Sequence, residues 1–354
     1  MSNRYVICRS AARRLSHPAK PATGFTLIEL MVAMLLGLIV IAGVVSVFLA
    51  NQRTYRTNQA LGDVQDSSRI AFELMARDIR NAGLNPCNND GRMANVLNNS
   101  GTDWWANWAN ALRGYSGNQG DPATGSVFGT GVGQRVIGTD SLQVLGAIDA
   151  GLSVAEDKEP AANFKLNDKT TDLQSGDIVI VCDPDHAVMV QISNYNNNTV
   201  TFVHNTGKGV ISPGNCSKGL GYPSDCSSTN GNLYQFGNNS QIAKLGAADW
   251  YIGNNPVKGG RSLYRVAIAT DSTSGNVGLG PAQEMVRDVT NMTINYHAKG
   301  SASFVPASSI GNWAVVDAVQ VTLTLQSADQ RAGTDVKPLV RTFTATTTVR
   351  NRVN

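Results

Sequence analysis

Past residue 24, the side chains readiest for chemistry are three histidines, His186, His204 and His297, and four cysteines, Cys87, Cys182, Cys216 and Cys226. Imidazoles near neutral pH move protons or bind metals, and thiolates attack, ligate or pair. Each histidine sits in or beside a β-like run and no G-x-S-x-G elbow is present, so satisfied or exposed imidazoles are expected and not a catalyst. The cysteines lack C-x-x-C spacing and the histidines lack H-x-x-x-H spacing, which argues against zinc. The stretch GTGVGQ carries Gly129, Gly131 and Gly133 but no P-loop lysine, and no helix pattern follows it, so it reads as a loop. Asp183 and Asp185, and Asn89, Asp90 and Gly91, offer calcium-type oxygens without EF-hand spacing and read as solvated turns. Trp104, Trp105 and Trp108 are read as buried or as a subunit contact, with an exposed adhesive patch as the alternative. No enzyme and no cofactor is expected.

Glu29 is the residue those readings leave over. It lies inside GFTLIELMVAMLLGLIVIAGVV, residues 24 to 45, and from Leu30 to Ala50 there are 21 residues without a charge. At about 1.5 Å rise per residue that run crosses a bilayer core of roughly 30 Å. It is too long for the apolar region of a cleaved secretory signal. A carboxylate just inside such a run is costly, on the order of 2.5–3.5 kcal/mol near the bilayer centre and less toward the interface, so a partner is expected. None is expected for Glu29 within its own lipid-facing helix.

Charge bounds the remaining classes. The formal +3 hides five basic residues and no acidic ones in the first 24, and their removal leaves 24 basic against 26 acidic residues. No net basic surface is left for general nucleic-acid binding. With 42% hydrophobic and 16% charged residues, the chain can bury a sizeable core.

The basic leader, GFTLIEL and the unbroken apolar run together resemble the N-terminus of type IV prepilins and of the pseudopilins of type II secretion. The resemblance implies that a prepilin peptidase cuts after Gly24 and methylates the new N-terminus at Phe25. It also implies that Glu29 meets the Phe25 amine of a neighbouring subunit during assembly. Two charges that are each costly in lipid then neutralise one another. The segment departs from many major pilins in having no proline, only Gly37 and Gly43.

The helical pattern continues past the membrane, where Leu61, Val64, Ser68, Ala71, Met75 and Ile79 recur at three-to-four spacing. Glu73 is expected to face Arg77, and Asp78 to lie on the solvated side. Gly83 and Asn85-Pro86 end the helix. The expected organisation is a cleaved leader over 1–24 and a long helix over 25–83, transmembrane over 25–50 and amphipathic over 51–83. A β-rich domain follows over 84–354.

The fold class is therefore α+β, a long N-terminal helix packed on a mostly antiparallel sheet domain, as in pilins. Strands are expected at 141–145, 177–182, 187–192, 199–204, 262–268, 292–296, 315–325 and 339–350. The runs 177–182 and 187–192 should form a hairpin around Pro184. Residues 88–138, irregular and rich in Gly and Asn, read as a surface excursion.

The later motifs, among them WANALRGYSG, GDIVIVCDPDHAVMVQI, ADWYIGNNPVKGGRSLYRVAI and TVRNRV, are similar in order and spacing to the PilW family of minor pilins. That resemblance implies a low-copy subunit joining other minor pilins and the major pilin at the pilus tip, where it primes assembly for motility, adhesion or DNA uptake. It implies a single-pass inner-membrane precursor with a cytoplasmic N-terminus and a periplasmic domain that later reaches the cell surface. A minor pseudopilin of type II secretion is the close alternative, and a tip adhesin the alternative of another class.

Cys8 leaves with the leader, and four cysteines in an exported domain allow three pairings. Cys216-Cys226, closing a loop without its own core, and Cys87-Cys182, tying the helix exit to the sheet, are the favoured pairs. Closing the short loop contributes roughly 2–3 kcal/mol in the chain-entropy picture.

Overall fold

The computed structural model describes residues 24–87, 92–125, 128–159, 161–207 and 211–352. Residues 1–23 of the expected leader, with Cys8, and the Asn89, Asp90 and Gly91 candidates lie outside the described residues. One helix, α1 (Leu27–Arg80), runs 54 residues, and the chain forms two compact units divided between Tyr55 and Arg56. In the first unit the apolar side chains of α1 from Leu27 to Leu49 are exposed, and α1 is long and apolar enough to cross a membrane.

In the second unit the described strands are β1 (Arg92–Asn95), β2 (Leu112–Tyr115), β3 (Ser141–Lys158), β4 (Asn163–Leu166), β5 (Ile178–Cys182), β6 (His186–Gln191), β7 (Asn194–Asn196), β8 (Thr201–Val203), β9 (Gln241–Asn254), β10 (Arg261–Thr270), β11 (Val277–Leu279), β12 (Gln283–Arg287), β13 (Val289–Ala298), β14 (Val305–Pro306), β15 (Val316–Gln326) and β16 (Val340–Thr348). The larger sheet runs β1-β6-β5-β9-β3-β4-β8-β7, with β2 on β3 and with β10 on β9 carrying β11 and β12. The smaller sheet runs β14-β13-β15-β16. Among the described residues every strand pair is antiparallel except β1 with β6.

The C-terminal half of α1 shares one buried cluster with strands of both sheets. Val64, Ala71, Met75 and Ile79 pack against Leu142 and Val144 of β3, Trp250 of β9, and Val319, Val321 and Leu323 of β15. These are positions of the three-to-four stripe, and Ser68 is buried with them, its hydroxyl donating to the Gln65 carbonyl at 2.7 Å. Leu61 only flanks a smaller cluster in which Ala60 is the buried helix residue. At the helix end Gly83 takes φ 71°, a left-handed conformation natural to glycine, and its N–H donates to the Leu145 carbonyl at 2.7 Å. The exit is pressed so close to β3 that a Cβ on Gly146 would lie 2.1 Å from the Asn81 carbonyl oxygen.

Three expectations need correction. Glu73 pairs with Arg69, at 2.9 Å, and not with Arg77. Asp78 does not sit on a free solvated face: its Oδ2 accepts from Trp250 Nε1 and Arg265 Nε, both at 2.9 Å. Local charge counting missed this because both donors are more than 170 residues away. Residues 88–138 are not only a surface excursion, since Trp105, Ala106, Ala111 and Leu112 are buried and β2 pairs with β3. Strand β9, central to the large sheet, was not anticipated because most of its residues are buried on both faces and no polar alternation marks it.

Candidate assembly site at the helix N-terminus

Gly24, Phe25 and Thr26 precede the first turn of α1, and Phe25 is 88% exposed. Among the described residues a Cβ on Gly24 would meet nothing within 4 Å. Thr26 is the N-cap. The Glu29 N–H donates to Thr26 Oγ1 at 3.2 Å, while the Thr26 N–H and its hydroxyl both donate to Glu29 Oε2 at 3.0 Å. This reciprocal pattern is a capping box, which satisfies amides that a helix start leaves without partners.

Glu29 therefore has a partner in its own chain, against expectation. The pattern T-x-x-E before an apolar run, Thr26 to Glu29, is the local signal of this box. Both bonds end on Oε2, and Oε1 takes none among the described residues. The carboxylate is held at the helix start with one oxygen in reserve.

The cysteines meet in two bridges, Cys87–Cys182 and Cys216–Cys226. The first links the segment after α1 to the end of β5, and the second closes a loop beside β1, where the Cys216 N–H donates to the Val96 carbonyl at 2.7 Å.

The three histidines fall in different places. The Nε2 of His186 is 2.6 Å from the Leu220 carbonyl, a satisfied core position. The Nδ1 of His297 is 2.6 Å from Asp317 Oδ1, and that bond raises its pKa. His204 is fully buried, and its ring nitrogens take no hydrogen bond among the described residues; burial pushes its pKa down to about 3. Glu159 Oε1 lies 3.8 Å from His204 Nε2, and burial together with Asp157 pushes Glu159 up to about 7. Among the described residues no group of three His, Cys, Asp or Glu side chains is arranged to hold a metal ion. Of the tryptophans, Trp105 is buried, while Trp104 and Trp108 are half-buried against the same cluster, in 3-10 turns and not on one α-helical face.

A charged network inside the domain escaped the sequence reading. Asp121 Oδ1 accepts from the Ala123 N–H at 2.9 Å and from Gln143 Nε2 at 2.6 Å, and its Oδ2 accepts from the Ser141 hydroxyl. Asp249 of β9 is fully buried; burial and the adjacent Asp121 carboxylate hold its pKa well above the usual range, against the opposing pull of Arg135. Arg135, 1% exposed, donates from Nη1 to the Gln119 carbonyl at 2.9 Å and from Nη2 to the Thr139 carbonyl at 2.8 Å, with longer bonds to Ser116 and Tyr115. Its bonds fasten the two ends of the 115–139 segment to one another. This is a structural hub.

Residues 20–45 match the family described as prokaryotic N-terminal methylation motif. The match supports a type IV pilin-family subunit, pilin-like or pseudopilin-like. Such a subunit is processed by prepilin peptidase and assembles with other pilins, and the apolar start of α1 fits its membrane-anchored form. No curated protein matches the chain.

Proposed function

We propose that the chain is a minor pilin of the PilW type, a low-copy subunit of the type IV pilus tip complex that primes pilus assembly. The observation that carries this reading is the methylation motif over residues 20–45, continuous with an exposed apolar helix start capped by Thr26 and Glu29. Gly24 and Phe25 flank the bond cut by prepilin peptidase, and Phe25 carries the methylated amine. Glu29 serves twice: Oε2 caps its own helix, and Oε1 receives the Phe25 amine of a neighbouring subunit. The capping box holds the carboxylate at the helix start before a partner arrives, which lowers the ordering cost of that contact.

In cells carrying the peptidase, Gly24→Ala is expected to leave the leader attached, read as slower electrophoretic migration; normal processing would refute the assignment. Glu29→Gln separates the two roles of the carboxylate. Glutamine still closes a capping box with Thr26 but cannot neutralise an ammonium. Processing and helix content should persist while co-purification with partner pilins falls by about tenfold or more, as loss of about 1.4 kcal/mol or more would produce. Undiminished co-purification would exclude Oε1 as the assembly contact.

The same motif serves pseudopilins, so the fibre is identified genetically. Deletion that removes surface pili and leaves protein secretion intact supports the minor pilin; the reverse outcome supports a minor pseudopilin of type II secretion.

A further inference from the structure

Far along the chain from the assembly site, a cavity of about 570 Å³ opens beside the Cys87–Cys182 bridge, within the span of about 300–1,000 Å³ that small-ligand sites occupy. Four stretches wall it: the segment after α1, the turn between β5 and β6, Tyr234, and the turn entering β9. They are fixed to one another. The disulfide joins the first two, and the Tyr234 hydroxyl donates to Asp183 Oδ2 at 2.6 Å. Asp183 Oδ1 in turn accepts from the N–H groups of Asp185 and His186 at 2.9 and 2.8 Å. The turn into β9 is held by the Ser240 hydroxyl on the Gly237 carbonyl at 2.7 Å, and by Asn167 Nδ2 on Asn239 Oδ1 at 3.3 Å.

We propose that this cavity binds a saccharide. Its lining combines neutral hydrogen-bonding residues, the exposed Asn238 and Gln241 and the hydroxyl oxygen of Tyr234, with Pro86, Pro184 and the disulfide. A sugar ring presents hydroxyls around its rim and C–H groups on its faces, and it matches both kinds of wall. Other ligand classes fit less well. Asp183 and Asp185 repel anions, and an apolar molecule would strand the amides without partners. A divalent cation would have to displace the donors already on Asp183 and the Arg92 guanidinium 3.3 Å from Asp185 Oδ2. Because the walls are fixed before the ligand arrives, little ordering cost is left for binding, which suits a weak polar ligand.

The inference does not depend on the assembly reading, because the cavity shares no residue with the helix N-terminus. The test uses the full-length protein in micelles of a detergent without a sugar headgroup, with chitobiose, lactose and cellobiose as probes at about 10 mM, well above a millimolar Kd. Saturation-transfer NMR should show at least one probe bound. Asn238→Ala and Gln241→Ala should each weaken it about 3–10-fold, the range expected from one lost hydrogen bond, with the melting temperature unchanged. No transfer to any probe overturns the proposal, as does transfer that persists undiminished in the double variant. Calcium binding in calorimetry that is lost in Asp183→Asn would assign the cavity to a cation and overturn it equally. Gly24 processing and pilin co-purification should be unaffected in both amide variants, so a failed sugar site and a failed assembly reading give different results.

Discussion

Replacing Arg135 by methionine is expected to destabilise the domain by about 3–5 kcal/mol, the range for removing one partner from a buried charge network. The guanidinium is 1% exposed and reaches the carbonyls of Gln119, Ser116, Tyr115 and Thr139, which methionine leaves without those donors. It also supplies the positive charge facing Asp121, Asp249 and Asp140. Methionine fills similar volume, so the loss would report donors and charge and not a cavity. Arg135→Lys should recover only part of the loss, because an ammonium lacks the planar fork that spans separated carbonyls. Urea unfolding followed by tryptophan fluorescence measures the change, and hydrogen exchange should show 115–139 opening first. A loss below about 1 kcal/mol would mean that the network contributes little.

Asp249→Asn should act in the opposite direction at neutral pH. The folded-state pKa of Asp249 is raised well above 3.8, so between that ordinary value and the raised one the folded protein holds a proton that the unfolded chain has released. Stability is therefore fully present below about pH 3.9 and falls as pH rises through the folded-state pKa, by about 1.4 kcal/mol for each unit between the two values. An asparagine amide can donate toward Asp121 without needing that proton. The variant should match the parent near pH 4 and unfold at higher urea at pH 7, with the pH slope reduced. Equal stability of parent and variant at pH 7 would show that Asp249 ionises freely in the fold.

Legibility differed between the two kinds of site. At the helix N-terminus the informative residues lie within six positions, so Gly24, Phe25 and Glu29 are readable as a string, and even the overlooked capping box is local, Thr26 to Glu29. The Arg135 network was not readable. Arg135, Asp121, Gln143 and Asp249 come from separate segments, and nothing in their immediate neighbours distinguishes them from surface residues. The same holds for Asp78, whose partners Trp250 and Arg265 lie on adjacent strands, β9 and β10, that only pairing brings beside the helix.

The sequence by itself determined the features that depend on near neighbours: the membrane-length apolar run, the buried stripe of Val64, Ala71, Met75 and Ile79, the hairpin of β5 and β6, and the alternation of β15. Period and turn chemistry act over a few residues, so these patterns are visible without a fold. Tertiary structure alone decided that β9 lies central in the large sheet, that Trp105 and Leu112 of the irregular stretch join the core, and that a cavity forms where Cys87, Cys182 and Tyr234 converge. Burial on both faces erases the polar alternation that marks a strand, and walls drawn from distant segments have no shared local signal. Their chemistry exists only once the chain has folded.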